Sequence, residues 1–195
     1  MSSRILVALR VPATPELAFD VFTREIGAWW RPNALFPINP GMTGKLAFEP
    51  GSGGRLVESY PDGSTFEIGR VRVWQPPVRL VFGWRQASFA ADQETEVHVR
   101  FEALDGETRV TVEHFGWDTI PPRHAARHGF PLDVFQLRHA EWWRTLFASY
   151  RSHLKDPDRP ILSEEDLERA EQYGKGQGQE HACREGGACL TVPKH

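Results

Sequence analysis

The sequence has few cysteines and no long hydrophobic segment. Its 195 residues include two cysteines, Cys183 and Cys189, and both lie within the last thirteen positions. No disulfide can therefore cross-link the main body of the chain, which is the pattern expected for a reducing compartment. No segment approaches the roughly 18 consecutive apolar residues of a membrane span, and Pro12 comes too early for a signal-peptide core. We expect a cytoplasmic protein that does not insert into membranes.

The sequence also lacks an excess of positive charge. It has 23 basic and 26 acidic residues, a formal net charge of −3, and no segment dense in lysine or arginine, so nucleic acid is not an expected partner. Nineteen of the basic residues are arginine, which suggests a GC-rich bacterial genome. Hydrophobic residues make up 40% of the chain, with 7 Trp, 3 Tyr and 12 Phe. This content predicts a folded globular domain and excludes disorder over the whole length.

The N-terminal part predicts a strand followed by two short helices. Residues 4–11 carry alternating β-branched and aliphatic side chains and are followed by a proline, which cannot donate a hydrogen bond to a sheet. Thr14 before a proline is an N-cap signal and predicts a helix over residues 15–23. A second helical turn is predicted over residues 24–30. A proline-rich loop follows, and its apolar residues 35–36 suggest that it folds back as a cover.

The middle of the sequence predicts an antiparallel meander. Asp105 and Gly106 separate two alternating runs and are a strong signal for a two-residue hairpin. Between residues 95 and 102 apolar and polar side chains alternate, so the sheet should bury one face. The cover for that face is a helix predicted over residues 132–154, whose large apolar side chains fall on one side. The six predicted strands of the meander are residues 45–49, 55–60, 65–74, 78–84, 95–104 and 108–117.

The last part of the chain differs in composition. Residues 155–195 are predicted to be a C-terminal extension of a domain formed by residues 1–154. Within the extension, residues 163–173 predict a short helix, and the remainder is rich in glycine and charge and is predicted to be disordered. Four side chains of metal-ligand type lie there, but their spacing matches no standard zinc finger, so no metal site is predicted. They are His181, Cys183, Cys189 and His195.

Several short motifs occur in order along residues 4–154. They are Val11-Pro12-Ala13-Thr14-Pro15 with Val21-Phe22-Thr23, Trp29-Trp30-Arg31-Pro32, Gly53-Gly54-Arg55, Gly69 followed by Pro76-Pro77-Val78-Arg79-Leu80-Val81-Phe82-Gly83-Trp84, Thr108-Arg109-Val110-Thr111-Val112-Glu113-His114, and His139-Ala140-Glu141-Trp142-Trp143. This series resembles one branch of the START-like (SRPBCC, helix-grip) superfamily, the branch named after the activator of the heat-shock-protein-90 ATPase.

The resemblance implies an α+β helix-grip fold. In it, a curved antiparallel sheet of about seven strands wraps on a long C-terminal helix, with two short helices after the first strand. Proteins of this superfamily include lipid carriers, polyketide cyclases, hormone receptors and co-chaperones, all built around a cavity between the sheet and the long helix. Relatives usually carry glycine just before the helix tryptophan, whereas this chain has Trp142. Either the pocket is reshaped or the helix is slightly rotated.

In this fold, the alternation of side chains along the strands and the helical repeat of the long helix place mostly aromatic side chains on the cavity wall. Such a wall favours a small hydrophobic or aromatic ligand, bound by a monomer or a homodimer without a cofactor. The alternative is that the rings simply fill the core. The predicted ligand-binding residues are Trp30, Phe82, Trp84, Val99, Phe101, Val112, His114, His139, Trp142, Trp143 and Leu146.

Two further functions stay open at this point. His114 and His139 are the histidines that point inward, and an imidazole can orient a ligand or move a proton near neutral pH. A polyketide cyclase or aromatase-like enzyme is therefore one alternative, although no catalytic residue is assigned. A co-chaperone-like interaction domain is the other, and it would need an exposed apolar patch. The chain has no G-x-S-x-G motif and no phosphate-binding loop, so hydrolase chemistry and nucleotide cofactors are not predicted.

Overall fold

The N-terminal strand and helices form where the sequence predicts them. A computed structural model describes residues 3–156 of the chain. Strand β1 is Arg4–Val11, helix α1 is Pro15–Arg24 and the short helix α2 is Ile26–Trp29. The Thr14 hydroxyl accepts a backbone N–H of the first turn of α1 at 3.4 Å. This bond is the N-cap that the Thr-Pro pair predicts.

Seven antiparallel strands form one sheet. After β1 come β2 Lys45–Phe48, β3 Arg55–Ser59, β4 Thr65–Gln75, β5 Arg79–Trp84, β6 Thr95–Leu104 and β7 Glu107–Phe115. Their order in the sheet is β1-β7-β6-β5-β4-β3-β2, so β2 to β7 form the predicted meander and β1 closes it by pairing with β7. Asp105 and Gly106 have φ angles of 51° and 80°, as a type I′ hairpin between β6 and β7 requires.

Strand β4 gives the sheet its curl. Its first part pairs with β3 and its second part with β5. Register shifts occur between Leu56 and Val57 in the first pairing and between Val71 and Val73 in the second, and such irregularities increase local bend and twist. The result is a curled half-barrel whose concave face is buried. Strand β6 shows the predicted alternation, with four buried side chains at every second position: Thr95, Val97, Val99 and Phe101.

Helix α3 covers the concave face of the sheet. It is Leu132–Leu154, the predicted bounds, and it contacts β1, α1 and α2. The Tyr150 hydroxyl donates to the Ala18 carbonyl at 2.6 Å and so links α3 to α1. The face that α3 buries consists of Phe135, His139, Ala140, Trp142, Trp143, Leu146, Phe147, Tyr150 and Leu154.

The described residues therefore form an α+β helix-grip fold, as the resemblance implies. Predicted and observed bounds of the helices and strands differ by at most two residues. Within residues 3–156, no helix is both long enough and apolar enough to cross a membrane. The helix predicted over residues 163–173, the disorder predicted after it and the His and Cys side chains of the extension lie outside the described residues.

Candidate functional site

The predicted ligand-binding residues are all buried between α3 and the sheet. None of the eleven is more than 6% exposed. Two of them, Trp30 and Trp142, line a cavity. The other nine pack in the core: Phe82, Trp84, Val99, Phe101, Val112, His114, His139, Trp143 and Leu146.

The cavity lies against the proline-rich loop and has a volume of about 580 Å³. One residue of each of α2, β2, β3 and α3 lines it, and the loop between α2 and β2 supplies the rest. Its apolar wall includes the loop residues Phe36 and Ile38 and, from β2, Leu46. The folded-back loop therefore builds most of the cavity wall.

Trp142 packs among aromatic side chains at the edge of the cavity. Its ring centroid lies 5.4 Å from that of Trp30, 5.5 Å from that of Phe36 and 5.0 Å from that of His139. The indole thus packs among core rings on one side and lines the cavity on the other. Trp142 consequently separates the buried His139 from the cavity.

Hydrogen bonds define the tautomer of His114. The Trp143 indole N–H donates to His114 Nδ1 at 3.4 Å, so Nε2 must carry the ring proton. Nε2 lies 2.9 Å from Thr95 Oγ1, and that hydroxyl donates onward to the Trp84 carbonyl at 2.9 Å. Burial, and after it the electrostatic effect of the nearby His139 ring, lowers the pKa of His114 well below its usual value. His114 is therefore a neutral imidazole held by its neighbours.

His139 lies among aromatic rings. Its ring centroid is 4.8 Å from that of Phe36 and 4.9 Å from that of Trp117. Among residues 3–156, neither of its nitrogens has a hydrogen-bond partner. Burial lowers the pKa of His139 to about 3, because the charged form would lose its hydration. His139 is therefore neutral, and its polar atoms are buried without compensation.

Glu58 places a carboxyl group in the cavity wall. Its side chain is 5% exposed, Oε1 accepts the Gly44 N–H at 2.9 Å and Oε2 accepts the Tyr60 hydroxyl at 2.9 Å. Acceptance at both oxygens is the bonding pattern of an ionised carboxylate. Burial raises the pKa of Tyr60; a hydrogen bond with Asn39 opposes this and the bond to Glu58 adds to it. Glu58 is the acidic residue of an otherwise apolar or neutral wall.

Sequence reasoning missed Glu58 and most of the loop as cavity residues. The prolines indicated a cover, but they gave no sign that Phe36 and Ile38 would face a cavity. Glu58 did leave a signal, because it shares strand parity with the buried Leu56 and Tyr60. A glutamate between two apolar residues at alternating positions indicates a carboxyl group on the buried face of a strand.

Arg127 is a further buried group that the sequence left without a role. It is 2% exposed and donates to the carbonyls of Trp117, Ile120 and Phe130 at 2.9–3.0 Å. Burial lowers the pKa of its guanidinium. These bonds fasten the loop before α3. In the described part of the chain, no group of three His, Cys, Asp or Glu side chains could hold a metal ion.

The curled sheet, the long helix and the cavity beside it define a helix-grip domain of the START-like class. Residues 12–154 match a family model described as "Activator of Hsp90 ATPase homolog 1-like protein". The chain belongs to this family, which confirms the resemblance seen in the sequence motifs.

Solved structures share the fold at low sequence identity. Protein MLL2253 from Mesorhizobium loti is 18% identical with a TM-score of 0.57, over 80% of this chain and 99% of that one. The Aha1 dimer from Colwellia psychrerythraea is 14% identical with a TM-score of 0.55, over 80% and 98%. CalU16 from Micromonospora echinospora is 14% identical with a TM-score of 0.52, over 91% and 87%. No curated protein matches the chain. At these identities the likeness establishes the fold alone.

Proposed function

We propose that the domain binds a small hydrophobic or aromatic molecule in the cavity beside Trp30 and Trp142. The observation that carries this proposal is the cavity itself, about 580 Å³ in volume and walled largely by apolar side chains. Sites for small organic ligands have volumes of roughly 300–1,000 Å³ and a few polar groups in an apolar wall. Both properties are found here.

The loop that walls the cavity is held in place by hydrogen bonds. The Asn33 side chain accepts the N–H groups of Leu35 and Phe36 at 2.7 and 3.2 Å. The Ile38 carbonyl accepts the Ala87 N–H at 2.8 Å, which ties the loop to the segment after β5. A cavity whose wall is already ordered requires less entropy loss when a ligand binds. The loop contacts therefore support a binding function.

The alternative functions receive less support. Neither His114 nor His139 lines the cavity, so an enzyme acting there would lack the inward histidine on which that hypothesis depended. Within residues 3–156, the large exposed apolar side chains come from β1, α1, α3 and two loops, which does not favour a single docking patch on this part of the chain. They are Leu6, Leu17, Met42, Val78, Val134 and Leu137.

The test compares a filled cavity with an open one. Met42 lines the cavity and is 39% exposed, so Met42→Trp should narrow the cavity without disturbing the core. Val78→Trp adds the same ring at a side chain that is 52% exposed and outside the cavity wall. We expect 2-methylnaphthalene, titrated calorimetrically, to bind the parent chain and Val78→Trp equally, and Met42→Trp at least about tenfold more weakly.

Native mass spectrometry of freshly purified protein accompanies the titration. One small hydrophobic molecule per chain would support the proposal and would identify a natural ligand. Equal binding of the probe to both tryptophan variants would refute the proposal, as would failure of the parent chain to bind any small hydrophobic or aromatic probe.

A further inference from the structure

We infer that the natural ligand of this cavity carries a positively charged amino group on its hydrophobic or aromatic body. The inference rests on the proposed function and adds the chemical class of the ligand. It follows from the charge of the cavity wall, from the hydrogen bonds of Glu58 and from the aromatic side chains beside it.

Among the described residues, Glu58 has two hydrogen-bond donors, and both are neutral. They are the Gly44 N–H and the Tyr60 hydroxyl, and none of the ion pairs within residues 3–156 includes Glu58. A carboxylate offers about four lone-pair sites, so Glu58 can accept from a further donor. A buried carboxylate without a counter-charge is costly, and a ligand ammonium group would supply that charge.

The remaining wall suits a cation and opposes an anion. None of the described residues that line the cavity is lysine, arginine or histidine, so an anionic ligand would meet Glu58 without a balancing charge. Lys45 precedes the cavity residue Leu46 in β2, has the opposite strand parity and is exposed.

Aromatic rings add to this preference. Trp30, Phe36 and Trp142 line the same cavity, and the electron-rich faces of such rings attract ammonium groups. A neutral hydroxyl group could also donate to Glu58, but it would leave the buried carboxylate without a counter-charge, which an ammonium group supplies. The aromatic rings would hold the body of the ligand, and Glu58 its amino group.

The experiment uses three probes of similar shape and different charge. They are 2-(aminomethyl)naphthalene, 2-methylnaphthalene and 2-naphthoate, each titrated calorimetrically against the full chain near neutral pH. We expect the amine to bind about tenfold more tightly than the hydrocarbon, which corresponds to one charge-assisted hydrogen bond. The carboxylate should bind more weakly than the hydrocarbon.

Glu58→Gln removes the charge and can keep both internal bonds. Its amide oxygen can accept the Gly44 N–H, and its amide nitrogen can donate to the Tyr60 oxygen. The variant should lose the preference for the amine, so that the ratio of its affinities for the amine and for 2-methylnaphthalene falls from about ten to about one. Glu102→Gln is the matched control, because Glu102 pairs with Arg109 on the surface and is 51% exposed.

The outcomes separate this inference from the proposed function. Equal binding of the amine and the hydrocarbon to the parent chain, or an amine preference that survives in Glu58→Gln, overturns the inference and leaves the binding function standing. Tightest binding by 2-naphthoate also overturns it. If none of the three probes binds, the proposed function fails and the inference fails with it. The relative affinities of the three probes for the parent chain test the inference even if Glu58→Gln does not fold.

Discussion

The two inward histidines differ in what their nitrogens contact. Both nitrogens of His114 have partners, Trp143 and Thr95. Among residues 3–156, those of His139 have none. The alternation along β7 and the helical repeat of α3 predict that both side chains point inward, but these patterns carry no information about hydrogen-bond partners. That difference arises from neighbours that are distant in sequence, since His114 bonds across from β7 to β6 and α3.

At residue scale, His139 should make stability depend on pH. Its pKa is lowered from 6.5 to about 3 in the folded chain, so between these values the unfolded chain binds a proton that the folded chain does not. The free energy of unfolding therefore falls as the pH falls from 6.5 towards 3. Between about pH 7.5 and pH 5.5, one such histidine accounts for a loss of about 1.4 kcal/mol.

His139→Leu should remove this contribution. We expect the variant to be at least as stable as the parent chain near pH 7.5, because an unpaired polar group is replaced by an apolar one. It should also lose about 1.4 kcal/mol less between pH 7.5 and pH 5.5. Urea denaturation at both pH values measures the difference. His114 stays buried in both chains and the carboxylates are unchanged, so parallel pH dependences would contradict the assignment.

At the scale of strands, two glycines lie where a Cβ atom would have no room. A Cβ atom added to Gly69 in β4 would lie 1.9 Å from the Gly83 carbonyl oxygen and 2.3 Å from its carbon. A Cβ atom added to Gly83 in β5 would also lie 1.9 Å from an obstacle, but that obstacle is the carboxylate end of Glu94. The first obstacle is backbone of a neighbouring strand, and the second is a flexible side chain that pairs with Arg72 on the surface.

Alanine at the two positions should therefore have different effects. We expect Gly69→Ala to cost about 3 kcal/mol or more, because β4 and β5 must separate. Gly83→Ala should cost about 1 kcal/mol or less, because Glu94 can rotate away and exposed ion pairs contribute little. Chemical denaturation of both variants measures the two costs. Similar costs would show that the backbone contact at Gly69 is no harder to relieve than the side-chain contact at Gly83.

The strands and helices could be predicted closely because their signals are local. Turn residues such as Asp105 and Gly106 and the one-sided pattern of α3 act over a few positions, and both are found where they were expected. The cavity could not be placed in the same way. Its wall combines a loop with single residues of α2, β2, β3 and α3, and no local pattern indicates how a proline-rich loop packs. The alternation along the strands and the helical repeat predicted the core residues around Trp142. The cavity, however, lies on the side of that ring that faces the proline-rich loop.

At the scale of the whole molecule, the described residues form one continuous hydrophobic core. The family match ends at residue 154, and the last turns of α3 bury Leu146, Phe147 and Tyr150 at 1% exposure or less. All seven tryptophans lie between Trp29 and Trp143, so their fluorescence reports on this core alone. We propose that residues 1–156 fold without the C-terminal extension.

A chain truncated after Asp156 should unfold like the full chain. We expect its guanidinium midpoint and the slope of its transition to be unchanged, with a free energy of unfolding within about 0.5 kcal/mol of the full-length value, because that slope follows the surface exposed on unfolding. Tryptophan fluorescence measures both quantities. A chain truncated after Arg144 is the control, and it should fail to fold because it lacks Leu146, Phe147 and Tyr150. A lower midpoint and a smaller slope after truncation at Asp156 would mean that the extension belongs to the cooperative core.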